Sequence, residues 1–267
     1  MLEQLREIVT DTKRMSRITD GLGGLFVRAE DSGLIERVPA FVRDYHRDYP
    51  GLSALEAGYA DVRRECEALL RVRHRLIDVE MLAGKYTKGG IHSAAWKAFM
   101  FKSHRFIEPN CALAPRTAAL LRDIPGLYTA FFSVLEAGQT ITPHRGYWKG
   151  FLRYHLGVVI PGNNADGACW LRVNRAPTPE GRTDAEHIES GETYRWREGE
   201  GVMFDDTFLH DAKNGSSDVR VVLWLDMRRK MPLYLNALNT VLLEVAHRAP
   251  SVAAVRKNAV VRLDATH

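Results

Sequence analysis

Two histidines, two arginines and a turn signal fall within one run, Pro143-His144-Arg145-Gly146-Tyr147-Trp148-Lys149-Gly150-Phe151-Leu152-Arg153-Tyr154-His155. A second cluster, Phe204-Asp205-Asp206-Thr207-Phe208-Leu209-His210, lies downstream, and Arg220 follows ten residues after its histidine. If the segment from Gly150 to Ile160 is a strand, alternation sends Phe151, Arg153 and His155 to one face and Leu152, Tyr154 and Leu156 to the other. The same rule puts Arg220, Val222 and Trp224 together, opposite Val221, Leu223 and Leu225. An arginine aimed into an apolar interior needs an anionic partner. Neutral imidazole is a fitting ligand for Fe(II), and the planar guanidinium fork matches a carboxylate at two points. The chemistry such a set supports is a non-haem iron site fed by a dicarboxylate. Spacing alone leaves a second reading open, in which His144 and His210 are structural histidines.

These groups need strands to hold them. From Gly126 onward the hydrophobic period is that of strands, read at Leu127 to Glu136, Gly150 to Ile160, Ala168 to Asn174, Thr193 to Arg197, Gly201 to Phe204 and Val219 to Met227. Short strands in succession, without intervening helices, predict a sandwich or barrel. His144 falls on a turn opened by Pro143, where a ligand reaches a cavity mouth. Residues 174–192, rich in Pro, Gly, Thr and charge, read as a surface loop. The region 84–111, with its glycines and basic residues, reads as a loop wall over a pocket or a plain exposed loop.

Helices are expected on either side. Leu2, Leu5, Ile8 and Val9 have helical spacing that Gly21-Leu22-Gly23-Gly24 interrupts, and Leu34 to Tyr45 reads as a further short helix. Ser53 and Glu56 form a candidate capping box for a helix whose apolar face is Leu55, Tyr59, Val62, Cys66 and Leu69, with Cys66 as packing. Pro232 stops the sheet, and Tyr234, Leu238, Val241, Leu242 and Val245 trace an amphipathic helix ended by Pro250. The basic tail beyond Ser251 is expected to be loosely ordered.

Composition narrows the class. A chain of 267 residues with 45% hydrophobic and 26% charged residues suits one catalytic domain with helical additions. There is no run of eighteen apolar residues and no apolar core of a signal peptide near Met1, so neither a transmembrane segment nor secretion is expected. Three scattered cysteines, Cys66, Cys111 and Cys169, argue for a reducing compartment, and the expected location is cytoplasmic. A net charge of +4 favours an anionic small molecule, peptide or lipid head group and is too weak to indicate nucleic acid.

The segment from about Pro50 to Met231 resembles the aspartyl/asparaginyl β-hydroxylase family of Fe(II)/2-oxoglutarate oxygenases. The matching residues are Pro143-His144-Arg145-Gly146, Leu152-Arg153-Tyr154-His155-Leu156-Gly157 and Phe204 to His210, with weaker matches at Trp96-Lys97, Asn110-Cys111, Pro115-Arg116-Thr117 and Arg220-Val221-Val222-Leu223. The resemblance implies a mainly β fold, a double-stranded β-helix or cupin-like jelly roll wrapped by N- and C-terminal helices. It divides the chain into a helical extension over residues 1–50, a catalytic jelly roll over 51–231 and a C-terminal helix with basic tail over 232–267. It makes His144 and His210 the iron ligands. Arg220 would take the distal carboxylate of 2-oxoglutarate with a hydrogen bond from Ser133, and Arg153 and His155 would lie by the chelating end of that cosubstrate and the substrate. A structural hydroxyl at Ser133 is the competing reading, and Asp205 and Asp206 read as supporting or turn-forming groups. The implied reaction consumes O2 and 2-oxoglutarate, releases succinate and CO2, and hydroxylates an unactivated carbon of an amino-acid, peptide or acyl-chain substrate.

Two departures qualify the resemblance. Gly146 occupies the position where most oxygenases of the wider class carry a carboxylate ligand. Members of the resembled family operate with glycine there, but halogenases use such a vacancy for chloride, so a halogenase is an alternative expectation. A glycine required by turn geometry is another. Phe151 replaces an arginine that the animal peptide-hydroxylating members carry near the substrate carboxylate, which weighs against a peptidyl aspartate and is compatible with a lipid acyl chain. A non-catalytic jelly-roll binding protein, or a cupin-like hydrolase or isomerase, would share the same strand pattern.

Overall fold

The computed structural model describes residues 23–79, 95–146, 148–248 and 250–261. The predicted helix around Leu2 to Val9, the glycines and lysines of 84–90, and Tyr147 lie outside them. The described part of helix α1 covers residues 23–31. It is followed by α2 (Gly51–Ala57), α3 (Tyr59–Leu70), β1 (Ile77–Asp78), β2 (Trp96–Ser103), β3 (Arg105–Phe106), α4 (Glu108–Cys111) and α5 (Pro115–Arg122). Next come β4 (Leu127–Leu135), β5 (Thr140–His144), β6 (Phe151–Val159), β7 (Cys169–Asn174), α6 (Asp184–His187), β8 (Glu192–Arg195), β9 (Gly201–Phe204), β10 (Leu209–Asn214) and β11 (Arg220–Arg228). Helices α7 (Leu233–His247) and α8 (Pro250–Asn258) close the described chain.

Two antiparallel sheets face each other. The larger runs β1-β2-β4-β11-β6-β9 with β3 added to β2, and the smaller runs β5-β10-β7-β8. This is the expected cupin-like jelly roll with helices outside it. Period-two alternation sorts every central strand of the large sheet between two apolar layers. Leu152, Tyr154, Leu156, Val221, Leu223 and Leu225 point outward into one cluster with Leu52, Leu55, Val62, Cys66, Leu69 and Leu121 of the helices. Phe131, Leu135 and Val222 point inward and meet Ile141, Leu171, Val173 and Ala212 of the small sheet. Each such side chain contributes roughly 1.5–3 kcal/mol on burial, so both faces of β4, β6 and β11 are strongly specified. Cys66 is packing, as expected, and burial pushes its thiol pKa up.

Several local expectations are corrected. The Ser53–Glu56 capping box does not form, because Glu56 accepts hydrogen bonds from Tyr45 and Tyr154 at 2.7 Å each and pairs with His46. Residues 34–44 are not helical, and Val42 instead bridges Met203 at a sheet edge. Gly23 and Gly24 are themselves helical. In the 84–111 region, Trp96 to Ser103 is a core strand, its Phe99 and Phe101 fully buried. Of the segment beyond Ser251, the residues up to Asn258 belong to α8, and Asn110 donates to the Ala259 carbonyl and accepts from the Val261 amide, while residues 262–267 lie outside the described residues. Within 174–192 a capping box does exist, between Thr183 and Glu186 at the start of α6.

Candidate active site

The inner layer of the jelly roll leaves a cavity with about 340 Å3 of empty space between the two sheets. Strand register brings its polar groups together. His144, the last residue of β5, pairs directly with His210 near the start of β10, and their ring centroids are 4.1 Å apart. A bulge follows between His210 and Ala212. His155 on β6 and Trp224 on β11 are register partners, and Ser133 on β4 is the partner of Val222. Arg220, at the start of β11, reaches the same cavity beneath Trp196. Thus His144, His210, Arg153, His155, Arg220 and Ser133 all line one space.

The two histidines are set up alike. Nδ1 of His144 is 2.8 Å from the Thr142 carbonyl, and Nδ1 of His210 is 2.9 Å from the Phe208 carbonyl. A ring nitrogen facing a carbonyl must be the protonated one, so Nε2 of each ring is left with its lone pair. Burial lowers the His144 pKa to about 4 and drives that of His210 well below its ordinary value, with Arg153 adding to both effects. Neutral, fixed in tautomer and side by side, the pair offers two imidazole donors. Such a donor set fits a divalent iron ion.

Arg220 is the electrostatic anomaly. It is 1% exposed, makes no ion pair with any carboxylate among the described residues, and its Nε has no hydrogen-bond partner. Burial lowers its pKa to about 10, which still leaves it a cation at neutral pH. Its nearest compensation is the Trp196 ring, 4.5 Å from the guanidinium carbon. A buried unpaired charge is costly, and this one lines the cavity. Ser133 accepts from the Trp96 indole at 2.8 Å and keeps its own proton to give. His155 is buried with neither ring nitrogen bonded, enclosed by Trp196, Phe204 and Trp224.

Arg153 is in the cavity wall but is not free. Its Nη2 lies 2.8 Å from Asp206 and 3.0 Å from Asp226, and its guanidinium stacks 3.9 Å over Trp224. Asp226 is a partner that sequence reading missed. It continues the face of Arg220, Val222 and Trp224, so the alternation that picked out those three also pointed to it. The aromatic walls Trp96, Trp196 and Phe204 were likewise unassigned, because an aromatic in a strand is most often plain core.

Gly146 and Asp206 explain each other. The Gly146 amide donates to the Asp206 backbone carbonyl at 2.7 Å, and a Cβ at position 146 would overlap the Asp206 carboxylate. The space beside the glycine is therefore taken by the Asp206 side chain, so turn packing accounts for a glycine here. Burial raises the Asp206 pKa to about 6 despite the opposing pull of Arg153. Asp205 turns away from the cavity. It is bound by Lys149 at 2.9 Å and Arg229 at 2.5 Å, and these cations outweigh burial and hold its pKa below the usual range. Phe151 packs against Tyr128 with ring centroids 4.8 Å apart.

Fold and site together define a jelly-roll protein with a paired-histidine cavity and a buried cation prepared for an acid. The aspartyl/asparaginyl β-hydroxylase profile matches residues 56–230, and the chain belongs to that family. It is 29% identical over 205 residues to an ornithine lipid ester-linked acyl 2-hydroxylase from Rhizobium tropici, covering 76% of this chain and 66% of that protein. It is 30% identical over 200 residues to aspartate β-hydroxylase domain-containing protein 2 from Xenopus tropicalis, covering 71% of this chain and 47% of that protein. The human aspartyl/asparaginyl β-hydroxylase is 28% identical over 138 residues, covering 49% of this chain and 16% of that protein. The chain thus spans 66% or less of the length of these relatives. Among the described residues, no helix is long and apolar enough to cross a membrane.

Proposed function

We propose that the chain is an Fe(II)/2-oxoglutarate-dependent oxygenase that hydroxylates an unactivated carbon of an amino-acid, peptide or acyl-chain substrate. The observation that carries this reading is the unpaired, buried Arg220 sharing a cavity with two neutral histidines. His144 and His210 would hold the iron, which when bound supplies the oxidising chemistry with O2 and 2-oxoglutarate. Arg220 takes the distal carboxylate of 2-oxoglutarate at two points, and Ser133 donates its hydroxyl proton to the same group. His155 offers a ring N–H to the other end of the cosubstrate. Arg153, fixed by Asp206 and Asp226, adds a positive field across the cavity without giving up its own partners. The rings of Trp96, Trp196, Phe204 and Trp224 exclude water and keep these interactions strong. Support for hydroxylation comes from the family and from the hydroxylases among its relatives.

Succinate release from 2-oxoglutarate, measured with Fe(II), ascorbate and O2, tests the reading. His144→Ala and His210→Ala should each abolish it and should also remove Fe(II) binding in equilibrium dialysis. Full iron binding and turnover in either variant would sink the assignment.

A further inference from the structure

A second, separately lined groove of about 1240 Å3 includes Gly146 and Leu209, which lie two residues and one residue from His144 and His210 in the chain. One wall is α1, with Val27, Glu30 and Asp31; the other is the segment after β7, with Arg175, Ala176 and Pro177. Four cations face this space, and their partners separate them. Lys149 is neutralised by Glu30 and Asp205, each at 2.9 Å. Arg145 is held by Asp184 at 2.6 Å and Thr178 at 2.7 Å. Among the described residues, Arg37 meets no carboxylate and its one hydrogen bond goes to the Arg175 carbonyl, at 3.0 Å. Arg175 makes no side-chain hydrogen bond or ion pair among the described residues, and its Nε is buried without a partner. Asp31 stands exposed at the rim as the opposing charge.

The backbone around Arg175 is fixed. Asn174 accepts from the Ala176 amide at 3.0 Å and donates to the His187 carbonyl at 2.8 Å, while His187 Nε2 contacts the Ala176 carbonyl at 3.1 Å. The backbone that carries Arg175 is thus held in place. Its position is also set relative to the chemistry. Val173 is the register partner of His210, and Arg175 is two residues further on. That puts the two backbones roughly 8 Å apart, from about 3.3 Å per residue along a strand and about 4.8 Å between strands. Phe208, Pro177 and Val27 give the same groove apolar surface.

We infer that Arg175, flanked by Arg37, seats the anionic head of an amphiphilic substrate whose apolar part lies along Phe208, Pro177 and Val27. This rests on reading the histidine pair as the oxidising centre. An unpaired buried guanidinium nitrogen beside an apolar wall selects a carboxylate or phosphate carried on an acyl chain over a neutral chain or a small free anion. No backbone bond of the loop uses the Arg175 side chain, so Arg175→Gln leaves the fold in place.

The test uses the metal-free chain and dodecanoate as probe, in equilibrium dialysis below micelle formation, with acetate and dodecanol as controls. Dodecanoate should bind more tightly than either control. Arg175→Gln should weaken it at least about tenfold, Arg37→Gln less, and Arg220→Gln should leave it unchanged. Equal binding of dodecanoate and dodecanol, equal binding of dodecanoate and acetate, or an Arg175→Gln variant with unaltered affinity would overturn the proposal. A chain that holds dodecanoate through Arg175 yet fails to retain 2-oxoglutarate with Fe(II) would support the anion seat and overturn the catalytic reading instead.

Discussion

Two buried charged regions lie on either side of the β9–β10 turn, and they are opposites. On the α1 side, Glu30, Lys149, Asp205 and Arg229 form a closed quartet with side chains 5%, 5%, 0% and 2% exposed. Each acid touches both bases, and Arg229 also donates to the Glu36 carbonyl at 2.6 Å. On the cavity side, Arg220 is as deeply buried and meets no acid among the described residues. Burial is therefore common to a clamp and a binding site, and what separates them is whether the charge is already answered. The quartet joins α1 to the turn that ends at His210. Arg220 has no such counter-charge among the described residues.

The comparison predicts opposite responses to mutation. Removing an acid from the quartet leaves two buried bases short of partners, so Asp205→Ala should cost about 3–5 kcal/mol of stability in urea unfolding. Arg220→Met removes a charge with no partner, and it should leave unfolding stability unchanged or raised. The loss then appears in binding. Affinity for 2-oxoglutarate in the presence of Fe(II) should fall by about 2–5 kcal/mol, measured by titration calorimetry under anaerobic conditions. If Arg220→Met unfolded as readily as Asp205→Ala, the cation would be a structural group and the distinction would collapse.

A smaller effect sharpens the boundary between the two regions, at Gly146. A Cβ at position 146 would overlap the Asp206 carboxylate, so Gly146→Ala should cost about 1–3 kcal/mol by overpacking. Asp206→Gly should relieve that cost in the double variant, giving a coupling that two distant sites would not show. Gly146→Asp on its own should lose stability before it can supply a ligand. Additive costs in the double-variant cycle would mean that the carboxylate moves aside freely.

Strand alternation explains which parts of this arrangement were legible beforehand. Arg153 with His155, and Arg220 with Trp224, follow from a period of two once a strand is granted, and the outer core follows from the same rule. Strands β2, β5 and β10 were not legible. Trp96 to Ser103 sits beside a glycine- and lysine-rich stretch that suggests a loop, Pro143 lies within β5 itself, and Leu209 to Asn214 mixes His, Asp, Lys and Asn. Polar residues in β10 are buried because the register supplies their partners: Asp211 takes Arg172, and Asn214 bonds three carbonyls around the Leu135 corner. Local propensity cannot show such partners, since they come from elsewhere in the chain. The fate of Glu56 has the same cause, as two tyrosine hydroxyls from distant segments outcompete the helix cap beside it.

The least of the expected effects lies where the C-terminal helices meet the sheet, and it titrates. His104 and His247 stack with ring centroids 3.8 Å apart, Arg256 Nη1 is 2.8 Å from His247 Nδ1, and Glu244 is 3.4 Å from His104. Tyr128 edges onto His104, and Arg105, Arg228 and Arg248 add positive field around the pair. Burial and these like charges lower both histidine pKa values, outweighing Glu244. A folded pKa below the unfolded value of about 6.5 means that the unfolded chain takes up protons first as pH falls. Stability of the docked α7 and α8 should hold above that pH and decline below it, levelling off beneath the folded pKa values. Hydrogen exchange of α7 and α8 amides between pH 7 and pH 5 reads this directly, with exchange rates corrected for intrinsic pH dependence. His247→Gln should flatten the decline while leaving the quartet and Arg220 untouched. A decline of equal size in that variant would move its origin to another group.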